Sequence, residues 1–550
     1  MRMHRLPSST PPAIDQPPIS NGSPRKIARP HRTVPGMTLR HSRPPGSGSH
    51  VWRTRLRGLL VAALGVAALI GGFVLLPLTA DVPADGPYRA MLAYNWYRNP
   101  HLSVCGSWLP GPMYLNGLFF WIVSDPLVST RIFNVIAGGI AIPVFFLLWE
   151  RIFAPPIAAL AAVALACLPL RIGLSASSMT EPAFLLALGS GTWFLLAASE
   201  FHRPRATYLV PALTLLSLAA LCRYEAWLLL PFFPTFYYLR TRRLAETLAV
   251  AGLLAAVPTA WMFGNLYCFG DALKGFRAAT TEERYAETVD LIGALRLLGS
   301  MLFQQAGALI TSGIVIGGAL CLFAACRTTH RIRARPEYLL YGALLIATWL
   351  VLIKFAMARG PASFQSRYVV LALVLALPLS VVPLMPLLRK RPGTGVIVGI
   401  AFAASLAMSG REISARWLPD IWLVARQPGD FIDDMTDVAH WLRISGHSQG
   451  ALLSTPINIK YGWATNYLPL LLPEASNRIR TMSYWLSDAD IRTFMRDYRP
   501  SLLIAGFGEI DREETARFER LAGRALSAED VVFRSFGNTP VTIYRIAEPD

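Results

Sequence analysis

Charge is what this chain has least of. Only 16% of its 550 residues are Asp, Glu, Lys or Arg, against about 25% in an ordinary soluble protein. With 53% hydrophobic residues, that scarcity excludes a water-soluble globule of this length. Metal-ligating residues are sparse too. The six cysteines (Cys105, Cys167, Cys222, Cys268, Cys321, Cys326) contain no CxxC pair and the nine histidines no HxxxH or HExxH. No dedicated zinc site is therefore indicated. Most cysteines fall in or beside apolar runs and read as small hydrophobes. No internal repeat is visible, so one common sequence mark of a transporter is missing.

What the chain has is long apolar runs. They fall near 58–78, 129–149, 155–173, 183–199, 207–221, 226–239, 246–264, 300–326, 337–356, 368–388 and 394–409. These lengths suit helices that cross a bilayer, so the fold class is a polytopic α-helical membrane protein with about eleven transmembrane helices. The net charge of +18 is uneven: residues 1–57 hold 10 Arg and 1 Lys against 1 Asp, and 10 prolines lie in the first 50 residues. That segment reads as a disordered basic cytoplasmic tail that contacts anionic lipid, not nucleic acid, and is too long for an ordinary cleaved signal peptide. With the N-terminus inside, the short loops 150–154, 200–206, 240–245, 327–336 and 389–393 are inside and Arg-rich, as the positive-inside rule requires. The expected location is the cell (inner) membrane. An odd helix count puts residues 410–550 outside.

Three domains follow: the tail 1–57, a transmembrane domain 58–409 with long outer loops 79–128 and 265–299, and an extracytoplasmic segment 410–550. The loop 265–299 is rich in charge and suits amphipathic helices on the membrane surface. Cys105 and Cys268 lie in the two outer loops, where a disulfide is permitted. The last segment alternates helical and strand patterns: helices at 431–442, 488–498 and 513–522, and strands at 451–455, 501–505, 531–536 and 541–546. It is expected to be a small α/β domain. Within it, Gly446-His-Ser-Gln-Gly450 fits the GxSxG letters. A helix precedes it and a strand follows, the reverse of a nucleophile elbow, and no histidine comes after His447. It reads as a turn with Gly446 as a helix cap.

Polar residues gather in the outer loops. The first holds Asp81, Asp85, Arg89 and Trp108; the next holds Thr180-Glu181-Pro182; then come Arg223-Tyr-Glu225 and Gln365-Ser-Arg367-Tyr368. Acids there can activate an acceptor hydroxyl, and arginines can hold a phosphate. Plainer roles stay open. Glu181 can serve a helix N-terminus. Arg223 and Glu225 can be a simple ion pair, Arg367 can snorkel to headgroups, and Asp81 can cap or be solvated. Asp85 opens a helical stretch, 87–97, that would hold it rigidly. Trp108 suits a loop-shaping role or a sugar-stacking face.

Together these features resemble the GT-C superfamily of polyprenyl-phosphate-sugar-dependent glycosyltransferases, in its protein O-mannosyltransferase and aminoarabinose transferase branch. Asp85-Gly-Pro-Tyr-Arg-Ala-Met-Leu-Ala93 looks like the first-loop acidic motif of that group, with Gly86 where a second acid is usual. Thr180-Glu181-Pro182 resembles its second-loop acid, and Ser366-Arg367-Tyr368 a lipid-phosphate patch. The resemblance implies inverting transfer of a monosaccharide from a polyprenyl-phosphate donor, with Asp85 as base and Glu181 as a second catalytic acid. It implies Arg367 and Arg223 on the donor phosphate, with Asp81, Trp108, Glu225 and Tyr368 in support. The acceptor, whether protein, lipid or glycan, stays open. No cofactor is expected, although some members of the group use a divalent metal. The competing reading is a transporter or flippase for a lipid-linked sugar.

Overall fold

The computed structural model describes residues 48–81, 85–200, 205–280, 288–327, 335–391, 393–416, 423–425, 431–455, 457–459, 462–463, 467–475, 478–482, 487–507, 509–535 and 540–546. Most of the basic tail lies outside the described residues, as do the acids expected in the loop 265–299 at Glu282, Glu283 and Glu287. Residues 54–550 form one compact unit.

Every expected apolar run is helical. Seven helices among the described residues are long and apolar enough to cross a membrane: Gly58–Leu78, Ser129–Ile152, Glu181–Ala198, Leu244–Phe269, Leu291–Phe323, Pro336–Gly360 and Ser366–Leu388. The other four runs depart from simple spans for local reasons. The run at 155–173 is a pair, Pro155–Cys167 and Pro169–Ser175, bent by 57°. Pro169 has no N–H to continue the ladder. The carbonyls freed at the break are met by Arg171, which donates to Leu165 O and Ala166 O at 2.9 Å each. Such a break is tolerated at membrane depth only when its polar groups are satisfied. The run at 226–239 divides into Tyr224–Leu229 and Phe232–Thr241 around Pro231. Ala206–Cys222 and Thr394–Ser409 are shorter apolar helices. Outside the spans, the first long loop, 79–128, folds in part into helices Asp85–Arg98 and Gly111–Phe119. Within 265–299 the structure shows the short helix Lys274–Thr280, and the next helix begins at Leu291, earlier than the hydropathy suggests.

The bundle is organised around the helix Val370–Val381, whose sequence VLALVLALPLSV is buried on nearly every side. A helix apolar all round has no solvent face and takes the core of the bundle. A tight turn, Ser366–Val369, leads into it. That placement carries Arg367 into the protein's interior at one end of the bundle.

The last segment holds a five-stranded sheet. Its strands are β3 (Leu452–Ser454), β6 (Ile479–Thr481), β7 (Leu502–Ala505), β8 (Val531–Arg534) and β9 (Thr542–Arg545), in the order β6-β3-β7-β9-β8. β3 runs parallel to β6 and β7, and β9 antiparallel to β7 and β8. Helix Phe431–Ile444 ends at Gly446, whose φ is +77°, and the turn His447–Gln449 leads into β3. The GxSxG letters thus sit on a helix-to-strand turn. β6 carries no clear sequence pattern and was not expected. Nor was the pairing of β1 (Thr79–Asp81) with β2 (Leu423–Ala425), which ties the first long loop to the chain beyond the last apolar helix. β4 (Asn458–Ile459) and β5 (Gly462–Trp463) form a minor hairpin.

Candidate active site

The end of the bundle beneath the helices Asp85–Arg98 and Gly111–Phe119 collects charged residues from span ends and loops. Asp85 begins the helix Asp85–Arg98, and its Oδ2 lies 2.7 Å from Nη2 of Arg367. Arg89, one turn on, places its own Nη2 3.9 Å from the same oxygen. Burial by itself would raise the Asp85 pKa, but Arg367 and Arg89 outweigh it and hold the carboxyl below its ordinary value. Arg367 is 6% exposed, approaches the Met179 sulfur at 3.7 Å and lies 5.2 Å from the Tyr368 ring. Snorkelling to headgroups is therefore set aside: the side chain turns inward to a carboxylate.

Glu181 opens the span Glu181–Ala198 and is fully buried. Its Oε1 pairs with Arg223, and its Oε2 has no hydrogen-bond partner among the described residues. A capping role alone does not account for that geometry. Arg223 also donates to Glu225, from Nε at 3.1 Å and from Nη2 at 2.5 Å. Burial would lower the Arg223 pKa, but the two carboxylates outweigh it and keep the guanidinium charged. Burial likewise works against the Glu225 anion, and Arg223 holds its pKa down. Arg359 donates to the Tyr368 hydroxyl at 3.3 Å and also lowers the Asp85 pKa. Four guanidiniums (Arg89, Arg223, Arg359, Arg367) thus stand among three carboxylates (Asp85, Glu181, Glu225). A site of that composition has one positive charge in excess, which suits an anion.

Asp81 does something different. It is 4% exposed, which sets aside the solvated reading. Its carboxylate accepts from the Ser178 backbone N–H at 3.1 Å and faces Arg131 at 4.0 Å. Burial dominates here and raises its pKa above the usual carboxylate value. Arg131 itself is spent on Ala176 O and on Thr79, and the Asp81 carbonyl accepts from Tyr467 at 2.6 Å. Asp81 therefore clamps three segments together. The glycine after Asp85 has its reason here: a Cβ on Gly86 would lie 3.2 Å from the Asp81 carboxylate, so an acid at that position would crowd a like charge.

Trp108 reaches the cluster through Arg89, whose guanidinium lies 4.1 Å from the indole centroid, and its ring meets Tyr88 edge-on at 5.2 Å. A strap, residues 103–108, sets this position. Cys105 and Cys268 are joined in a disulfide. The Gly106 N–H donates to Asn265 at 2.8 Å, and Ser107 O accepts from the Tyr224 hydroxyl at 3.1 Å. The strap lies so close to the helix Leu244–Phe269 that a Cβ on Gly264 would fall 1.8 Å from Val104 O.

A narrow cavity of about 20 Å³ adjoins the cluster. Its lining combines Arg223, Glu225, Arg367 and Tyr368 with Phe184, Leu229, Val351 and Leu352. Charged and hydrocarbon side chains thus meet around one small space. Among the described residues no three His, Cys, Asp or Glu side chains gather as a metal site, and each of the three clustered carboxylates faces an arginine.

The arrangement has relatives. Residues 108–263 match the family described as dolichyl-phosphate-mannose-protein mannosyltransferase. The structure is similar to ArnT from Cupriavidus metallidurans in its apo state, with a TM-score of 0.59, 14% identity and coverage of 92% of this chain and 100% of that one. It is also similar to the same protein bound to undecaprenyl phosphate, with a TM-score of 0.56, 14% identity and coverage of 89% and 99%. The chain has the GT-C glycosyltransferase fold. The same fold likeness extends to the Archaeoglobus fulgidus oligosaccharyltransferase tethered to an acceptor peptide, with a TM-score of 0.51, 12% identity and coverage of 84% and 70%. No curated protein sequence matches the chain. On this GT-C frame, the residue that sequence reasoning left out of the site is Arg359; Arg89 is noted there in the first loop without a role, while Arg131 acts in the Asp81 clamp. Arg89 had a readable signal, since it lies four residues after Asp85 on an expected helix and so on the same face. Arg359 had none.

Proposed function

We propose that this chain transfers a monosaccharide from a polyprenyl-phosphate donor to an acceptor hydroxyl, with inversion. The observation that carries the reading is the cavity in which Arg223 and Arg367 meet a hydrocarbon wall, with Asp85 paired to Arg367. The two arginines take the donor phosphate, and the apolar wall takes the start of the lipid chain. Asp85 removes the proton of the acceptor hydroxyl as its oxygen attacks the anomeric carbon. The bond from that carbon to the phosphate oxygen breaks, and its electron pair leaves on the phosphate, where the guanidiniums stabilise the charge. Glu181 holds Arg223 in place from a fully buried position. Trp108 and Tyr88 offer aromatic surface beside Asp85 for a sugar.

A flippase reading has less support. The site residues all lie at span ends: Asp85 beyond Leu78, Glu181 at the start of its span, Arg223 just after Cys222, and Arg359 and Arg367 at the joint of two spans. The site faces the extracytoplasmic side of the cell membrane in this proposal. The Arg-rich short loops favour it, and so does a disulfide beside the site, since such bonds persist in oxidising compartments. The test is transfer from labelled polyprenyl-phosphate sugar by membranes containing the protein. Asp85→Asn should lower transfer by about 100-fold or more, and Asp81→Asn by less. Near-normal turnover in Asp85→Asn with a dead Asp81→Asn would exchange their roles.

A further inference from the structure

If the base is Asp85, the structure holds it in an unready state. Its Oδ2 is already engaged at 2.7 Å by the arginine that lines the donor cavity. A carboxylate neutralised this way is a poor proton acceptor. We propose that Arg367 is a shared cation, neutralising Asp85 until a donor phosphate claims it, so that the base is released only when the donor is bound. The inference rests on the reading of Arg367 as a donor-phosphate ligand.

The geometry makes the two claims compete. A guanidinium binds an anion bidentately along one of two edges, and both edges include Nη2, the nitrogen on Asp85. A phosphate on either edge must displace the carboxylate or sit against it as a second anion. Both outcomes make Asp85 a stronger base, the first by removing its counter-charge and the second by adding a like charge nearby. Arg89 and Arg359 remain, but the 3.9 Å approach of Arg89 to the same oxygen is longer than a hydrogen bond, its guanidinium lies over Trp108, and Arg359 donates to the Tyr368 hydroxyl. Arg89 therefore keeps Asp85 in position without silencing it. The consequence is an order of events: donor first, then acceptor deprotonation. Without donor, the site does not activate a stray hydroxyl or water.

The test is binding of undecaprenyl phosphate to the full-length protein in detergent micelles, by titration calorimetry. Removing the competing carboxylate should tighten binding. Asp85→Asn, and Asp85→Ala as a second variant, should raise affinity about three- to tenfold, as expected if the binding-competent arginine is free only a fraction of the time. Simple relief of charge repulsion predicts tightening too, so the cycle with Arg367→Gln decides between them. In that background the Asp85→Asn gain should vanish, whether residual binding is weak or absent. A gain that persists, or binding that reappears when Asp85→Asn is added, would overturn the sharing. So would unchanged or weaker binding in both single Asp85 variants. If Arg367→Gln binds like wild type, the assignment of Arg367 to the phosphate fails as well. If the wild-type protein does not bind the lipid, the donor reading itself falls.

Discussion

Replacing Arg367 by lysine keeps the charge and removes the fork. Arg367 lies 2.7 Å from Asp85 and 3.7 Å from the Met179 sulfur, at 6% exposure. A lysine ammonium is a point donor and cannot span carboxylate and phosphate together. One charge-assisted hydrogen bond, worth about 1.5–3 kcal/mol, is lost at least in part. That corresponds to roughly a 10- to 100-fold fall in kcat/KM for the donor. Arg367→Ala goes further. It strands Asp85 in a mostly buried place, and breaking such a pair costs about 3–5 kcal/mol of stability; with the phosphate ligand gone as well, transfer should fall further than in the lysine variant, by about 100-fold or more. The variant also has a pH signature. In the wild type, Arg367 opposes burial and holds the Asp85 pKa below its ordinary value, so the base stays ionised well into acid. Without Arg367, burial is opposed mainly by Arg89 and the pKa rises. The acid limb of the kcat/KM profile, which reports the free enzyme, should therefore move to higher pH, with activity lost earlier as pH falls. The assay is transfer against donor concentration and pH, on detergent-purified protein of checked monodispersity. Wild-type rates for Arg367→Lys at every donor concentration would refute the reasoning, because a side chain needed only for charge is served equally by lysine.

Two further outcomes are expected. Gly264→Ala would put a methyl 1.8 Å from Val104 O; the strap at 103–108 must lift, so the Cys105–Cys268 bond should fail to form in part of the protein, read as new reactivity of the two thiols to a maleimide that shifts gel mobility. An alkaline phosphatase domain fused after Asp550 should be active; an inactive fusion, with a cytoplasmic reporter active at the same point, would reverse the proposed orientation.

The helical character of every span was legible because a bilayer imposes a length and a composition that survive any packing. The sites of breakage were half legible. Pro169 and Pro231 are visible in the sequence, but Arg171 as the residue that satisfies the broken end is not, since its acceptors are known only once the chain turns back. In the last segment, helix Asp488–Tyr498 falls where its pattern placed it. β6 escaped notice because an edge strand with little buried apolar surface has no alternating signal to read.

Within the site, residue types and their order along the chain were determined by the sequence alone. Acids at Asp85 and Glu181 and arginines at Arg223 and Arg367 stand at span ends because charge is excluded from hydrocarbon. Which acid meets which base was decided by tertiary structure. Asp81 and Asp85 lie four residues apart, yet one is folded onto Ser178 and Arg131 while the other meets Arg367, 282 residues away. Local sequence sets what a carboxylate is. Its role depends on the charges that packing brings within a few ångströms, and those come from helices whose arrangement is fixed by the whole buried core.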